Sequence, residues 1–172
     1  HILQVIFRKQ GNYKNRIGFM NGADFKKAIE LIDSASAVLI TTHFRPDGDA
    51  CGCLRAMMDG LTGRGKRVFG LLLSPPANWY AAMFEKKIPV LDNDITPDQL
   101  MEGYFDTCDL IILVDTNSRI QLPGFSPWLE KVRGEKKVLV IDHHVTGDGL
   151  GDVELIDPDA AAAGEIVFDL SL

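Results

Sequence analysis

The sequence predicts a three-layer α/β fold, a Rossmann-like and mostly parallel sheet flanked by helices. Three observations lead there. Short runs rich in β-branched and aliphatic residues recur at 37–42, 68–73, 110–114, 137–141 and 153–156, as strands buried on both faces do. Segments of helical periodicity lie between them, which implies right-handed crossovers joining parallel strands. The chain has 172 residues and 46% hydrophobic content, enough for one compact domain with a sizeable core.

The elements follow in order. Phe25, Ala28, Ile29 and Ile32 recur at i, i+3, i+4 and i+7, so 24–34 reads as an amphipathic helix. Residues 37–42 are the first strand. A helix opens near Asp49 and runs to about Thr62, with Leu54, Met57, Met58 and Leu61 inward, until Gly63 and Gly65 break it. Residues 68–73 are a strand, and Pro75-Pro76 starts a loop carrying Trp79 and Tyr80. Residues 88–91 are expected to form a short strand. Thr96 caps a short helix with Pro97 at its first position. The strand 110–114 leads into a loop, and a helix over 126–132 ends at Gly134. Residues 137–141 are a strand, Gly147, Gly149 and Gly151 make a flexible loop, 153–156 is the last strand and 160–170 the last helix.

Bulk properties narrow the function. A net charge of −6 is not the basic excess of a nonspecific duplex binder, and clustered carboxylates are tolerable when cations sit among them. The three cysteines, Cys51, Cys53 and Cys108, show no zinc-finger spacing, and are expected to be reduced thiols of a cytoplasmic protein. No apolar stretch approaches the ~18 residues that cross a bilayer. Residues 1–19 carry Arg8, Lys9, Lys14 and Arg16 and no acid, so without them the net charge is −10. They are expected to be a tag or a non-native extension, with 20–172 forming the domain.

The chemistry concentrates at strand ends. His43-Phe44-Arg45-Pro46-Asp47-Gly48-Asp49 follows the first strand, Asp115 ends the 110–114 run, and Asp142-His143-His144 follows 137–141. Parallel sheets bind ligands beyond the carboxyl ends of their strands. Imidazole with several carboxylates suits Mn²⁺, Fe²⁺ or Zn²⁺ better than Ca²⁺ or a pure Mg²⁺ site. Asp47 and Asp49 point different ways and can each serve one of two neighbouring ions, with Asp115 between them. One of His143 and His144 can bind metal while the other faces substrate, and Asp142 can orient either. Taken singly, each residue has a plain structural use. Asp49 alone would cap the helix that follows it, and Asp115 alone would start an Asx-turn with Asn117. Three strand ends carrying such residues together favour the metal site.

These motifs resemble those of the DHH phosphoesterase superfamily. His43 to Gly52 is similar to its first motif, Val114-Asp115-Thr116-Asn117-Ser118-Arg119 to its second, Ile141-Asp142-His143-His144 to its third, and Leu155-Ile156-Asp157-Pro158 to its fourth. The resemblance spans about 24–172 and implies the catalytic N-terminal domain. It implies two Mn²⁺ ions, Mg²⁺ or other divalent ions being alternatives: His43, Asp47 and Asp115 would hold one, and Asp49, Asp115, His143 and Asp157 the other. His144 would contact the scissile phosphate, with Arg119 a further candidate to neutralise phosphoryl charge. The implied activity is hydrolysis of phosphodiester or phosphomonoester bonds in short oligonucleotides or nucleotides, of the nanoRNase and 3′-phosphoadenosine-5′-phosphate phosphatase type. Cyclic-dinucleotide phosphodiesterases, single-strand exonucleases and manganese pyrophosphatases of the same superfamily are the alternatives.

Two departures stand out. The glycine- and histidine-rich substrate-binding domain that usually follows is missing from these 172 residues, so the expectation is the catalytic half of a larger protein. Small hydroxyl residues after the fourth motif are replaced by Ala160-Ala161-Ala162-Ala163. A metal-binding fragment without turnover is therefore the second reading, and a homodimer is a candidate assembly. A dinucleotide-cofactor protein fits poorly, because the first loop lacks the spaced glycines that admit a pyrophosphate.

Overall fold

The computed structural model describes residues 22–170. The segment 1–19 lies outside them. Five strands form one wholly parallel sheet: β1 (Ala37–Thr42), β2 (Arg67–Leu71), β3 (Leu110–Val114), β4 (Lys137–Asp142) and β5 (Val153–Ile156), in the spatial order β2-β1-β3-β4-β5. The helices are α1 (Gly22–Ser34), α2 (Gly48–Gly63), α3 (Asn78–Ala81), α4 (Pro97–Leu100), α5 (Ser126–Val132) and α6 (Ala163–Leu170). A π turn, Met101–Phe105, continues α4, and a 3₁₀ turn, Arg119–Gln121, follows β3. No described helix is long and apolar enough to cross a membrane.

The three layers follow from side-chain alternation along buried strands. One face of the sheet presents Val38, Ile40, Leu110, Ile112, Val114, Leu139 and Ile141 to α1, α2 and α6, through Ala28, Ile32, Leu54, Leu61, Ile166 and Val167. The other presents Leu39, Ile111, Leu113, Val138 and Val140 to Leu100, Phe125, Leu129 and Val132. β1 and β3 are buried at every position. That is why their sequences read as unbroken apolar runs instead of alternating ones.

Three local expectations shift. Residues 88–91 do not form a strand. Leu72 and Val90 make an isolated bridge, in which Leu72 N–H donates to the Pro89 carbonyl and Leu91 N–H to the Leu72 carbonyl. Pro89 has no N–H with which to extend that ladder. β2 correspondingly stops at Leu71 instead of Leu73. The last helix starts at Ala163, not at Ala160, because the chain first turns at Asp157, whose carbonyl accepts from Ala160 N–H and whose side chain accepts from Asp159 N–H.

The strand order positions the site. From β1 the chain crosses to β2 on one side, and then passes β1 to reach β3 on the other. The connections diverge between β1 and β3, so a crevice opens at the carboxyl ends of those two strands. His43 follows β1 and Asp115 follows β3.

Candidate metal centre and phosphate-facing site

Asp115 is at the middle of the site. It is 2% exposed, and its backbone takes the left-handed conformation with φ +56°. Aspartate tolerates that region better than most residues, at about 1 kcal/mol. Its N–H donates to the Ile141 carbonyl at 2.8 Å, which ties the end of β3 to β4. Oδ2 lies 3.6 Å from Nε2 of His43, and Oδ1 lies 3.6 Å from Nε2 of His143.

Both imidazoles are oriented from behind. Nδ1 of His43 lies 2.9 Å from the Phe44 carbonyl oxygen, and Nδ1 of His143 lies 3.2 Å from that of Ala160. A carbonyl only accepts, so Nδ1 is the donor in each of these contacts, and in the tautomer that this selects Nε2 is the lone pair. Backing of this kind is what metal-bound imidazoles need. Each lone pair then faces a carboxylate oxygen, acceptor against acceptor, and gains from that approach only with a cation or proton between them. Two donors about 2.1 Å from one ion at a tetrahedral angle stand roughly 3.5 Å apart, close to the observed spacing.

Two groups of ligand atoms lie within 4.8 Å of one another: His43, Asp47 and Asp115, and Asp115, His143 and His144. Asp115 belongs to both. The buried side-chain oxygens without a hydrogen-bond partner among the described residues are Thr42 Oγ1, Asp115 Oδ1 and Asp142 Oδ2, at the carboxyl ends of β1, β3 and β4. Buried polar atoms are nearly always satisfied, so three orphans on adjacent strand ends fit a site that takes cations and their water. Borderline nitrogen donors mixed with hard carboxylates suit a divalent transition metal such as Mn²⁺, Fe²⁺ or Zn²⁺.

The aspartates divide their work differently from the reading of the motif. Asp47, not Asp49, caps α2, with Oδ1 accepting from the N–H groups of Asp49 at 2.9 Å and Ala50 at 3.0 Å. Its other oxygen stays available beside His43. Asp49 turns toward α6. Its Oδ2 accepts from Ala163 N–H at 2.7 Å, and its Oδ1 from Gly164 N–H at 3.0 Å. It therefore caps a helix 114 residues further along the chain, and lies outside both ligand groups. Asp157 also lies outside them, holding its own turn through Asp159 N–H.

Asp142 is fully buried, and its Oδ1 accepts from His143 N–H at 2.8 Å and from Nδ1 of His144 at 2.7 Å. That bond raises the His144 pKa above its ordinary value. The His43 pKa is raised by Asp115, and burial pushes the Asp115 carboxyl up. His144 is half-exposed, with Nε2 left for solvent or substrate. Asn117 Nδ2 donates to the His144 carbonyl at 3.2 Å, and the Asp148 N–H to the Asn117 carbonyl at 2.9 Å. The glycine-containing loop after β4 is thus stitched to the loop after β3. Arg119 is tied into the same seam. Its guanidinium donates to Glu130 Oε1 at 2.9 Å and 3.0 Å and to the Asp148 carbonyl at 3.1 Å. The Ala160 carbonyl behind His143 was not foreseen, since a backbone acceptor leaves no residue-type signal.

Residues 37–172 match the DHH family, N-terminal domain. The chain is 27% identical over 152 residues to a probable bifunctional oligoribonuclease and PAP phosphatase NrnA of Streptococcus mutans, covering 86% of this chain and 42% of that protein. It is 28% identical over 149 residues to the bifunctional oligoribonuclease and PAP phosphatase NrnA of Thermus thermophilus, covering 86% and 39%. The chain thus spans less than half the length of these relatives. Its fold is similar to that of an exopolyphosphatase-related protein from Bacteroides fragilis, with TM-score 0.77, 21% identity, and 89% of this chain and 44% of the other covered. It is also similar to exonuclease RecJ bound to manganese, with TM-score 0.54, 17% identity, and 86% and 36% covered.

Proposed function

This chain belongs to the DHH family, and from that premise we propose that it is a metal-dependent phosphoesterase domain that hydrolyses short oligonucleotides or adenosine 3′,5′-bisphosphate. The observation that carries the proposal is the pair of opposed contacts at Asp115, each carboxylate oxygen 3.6 Å from an Nε2 whose ring is pinned by a backbone carbonyl. The names of the NrnA relatives support the substrate class.

His43, Asp47 and Asp115 would hold one Mn²⁺, and Asp115 with His143 a second, with Asp49 and Asp157 the further ligands that the family resemblance adds. Divalent cations held there would supply positive charge toward phosphoryl oxygens and would make water a better nucleophile near neutral pH. The protein's own groups do the rest. Asp142 accepts from His144 Nδ1 and favours the imidazolium, the form whose Nε2–H would donate to a phosphoryl oxygen. The buried carboxylate also fixes the ring's direction. Arg119 is the weaker candidate for this role, since its guanidinium already donates to Glu130 and to the Asp148 carbonyl.

The test is Mn²⁺-dependent hydrolysis of bis-p-nitrophenyl phosphate, a 5′-labelled dinucleotide, adenosine 3′,5′-bisphosphate and pyrophosphate. Turnover of the dinucleotide or the bisphosphate, abolished by Asp115→Ala, is the expected result. Turnover of pyrophosphate alone would move the chain to another branch of the family. Metal binding without hydrolysis of any of the four would leave a metal-binding fragment.

A further inference from the structure

The site as described has carboxylates and histidines but no permanent cation to hold a substrate that carries more than one phosphate. Arg119 is bonded elsewhere. Arg55, Arg64 and Arg133 also carry carboxylate partners. Arg67 opens β2, at the end of the sheet away from the site. Arg45 has no carboxylate partner among the described residues, is exposed, and lies midway between His43 and Asp47 in sequence. Its Cα is within about 7.6 Å of the Cα of each.

Its backbone is held in an unfavourable state. Arg45 has φ +57°, where side chains other than glycine, asparagine and aspartate are rare, and Pro46 narrows its choices further. The strain is retained by partners on both sides. Arg45 N–H donates to Ser74 Oγ, a nearly buried hydroxyl, at 2.7 Å, and Phe44 N–H donates to the Gln121 carbonyl at 2.8 Å. This staples the loop after β1 to the chain after β2 and to the 3₁₀ turn after β3. Its two side chains are left outside. Phe44 is 42% exposed, and the guanidinium lies 5.7 Å from its ring centroid. A strained, doubly anchored backbone that presents beside an exposed ring a guanidinium with no carboxylate partner among the described residues is the kind of outlier that functional sites retain. The chemistry it suits is a phosphate on the arginine with a base against the ring.

Resting on the phosphoesterase reading above, we propose that Arg45 binds the phosphate of the substrate that is not cleaved, and that Phe44 gives the adjoining base a stacking face. Arg45 is then a specificity residue. It selects substrates with a second phosphate one nucleotide from the scissile one, and takes no part in the chemical step.

The experiment uses the whole chain with Mn²⁺ and compares wild type, Arg45→Ala, Arg45→Lys and, as a control at the far end of β2, Arg67→Ala. Substrates are a dinucleotide with and without its 5′-phosphate and bis-p-nitrophenyl phosphate. Arg45→Ala should raise KM for the 5′-phosphorylated dinucleotide at least tenfold with kcat within twofold. It should also lower the kcat/KM ratio of that dinucleotide to bis-p-nitrophenyl phosphate at least tenfold. Removing the 5′-phosphate should cost the wild type a similar factor and the variant little more. Arg45→Lys should recover part of the loss. Equal loss on all three substrates, or none on the phosphorylated dinucleotide, overturns the proposal. Titration of the Mn²⁺-loaded protein with adenosine 3′,5′-bisphosphate decides it without turnover. A dissociation constant at least tenfold weaker in Arg45→Ala supports it, and an unchanged constant or absent binding in the wild type overturns it. Absent hydrolysis with Arg45-dependent binding contradicts only the phosphoesterase reading.

Discussion

Asp142 accepts a hydrogen bond from Nδ1 of His144 at 2.7 Å while holding the His143 N–H at 2.8 Å with the same oxygen. One fully buried carboxylate thus orients both histidines: the backbone of the one that faces Asp115, and the ring of the one left half-exposed. Replacing it should separate orientation from metal binding. Asp142→Asn is expected to lower kcat by about 100-fold or more, in line with losses when a histidine loses its orienting aspartate, and to leave Mn²⁺ affinity within about tenfold. Steady-state kinetics and calorimetry on one preparation check this. A variant that turns over normally would remove His144 from the reaction.

Asp49 offers a second separation. Its two oxygens cap α6 through Ala163 and Gly164, so Asp49→Ala should lose about 1 kcal/mol of stability in denaturant unfolding, the usual effect of deleting a cap. Asp49→Asn retains one good acceptor and should lose less. If Asp49 also swings to a cation, both variants weaken metal binding, and Mn²⁺ should stabilise them less than the wild type. Unchanged stability in the alanine variant would mean that this cap contributes nothing.

The thiols should be silent. Cys51, Cys53 and Cys108 are buried thiols that form no disulfide among the described residues. Burial raises Cys51 and Cys108 to about 11 and Cys53 further. A thiol raised in the folded state stays protonated there after the unfolded chain has ionised. Its contribution to stability is therefore whole below the unfolded value near 9, and is lost as pH rises through about 11. At pH 8 a thiol reagent such as dithionitrobenzoate should label none of the three in the native protein and all three in denaturant. Fast native labelling of Cys51 or Cys53 would show that the core around α2 opens.

The strands were legible because their information is local. Val38 to Ile40, Leu110 to Val114 and Val138 to Ile141 are buried on both faces and read as short apolar runs, whereas the similar run 88–91, interrupted by Pro89, makes only an isolated bridge. The ends of strands and helices were less legible, because they are set by distant groups. α6 begins where Asp49 meets Ala163, two residues more than a hundred positions apart, and no window of sequence contains both. The same distance hid the role of Asp49, whose local pattern fits a ligand or a cap of α2 equally well. His43, Asp47, Asp115, His143 and His144 were identifiable as a cluster from three strand ends. The carbonyls of Phe44 and Ala160 that decide which nitrogen each ring presents were not, because they are main-chain atoms.

The central claim is that Asp115 joins two cation sites. Isothermal titration with Mn²⁺ of the wild type and of Asp115→Asn tests it most directly, since asparagine keeps the shape and tolerates the left-handed backbone, while circular dichroism verifies the fold. The account predicts about two Mn²⁺ per wild-type chain and loss of both in the variant, with the fold intact. Two ions bound to a folded Asp115→Asn with wild-type affinity would contradict it.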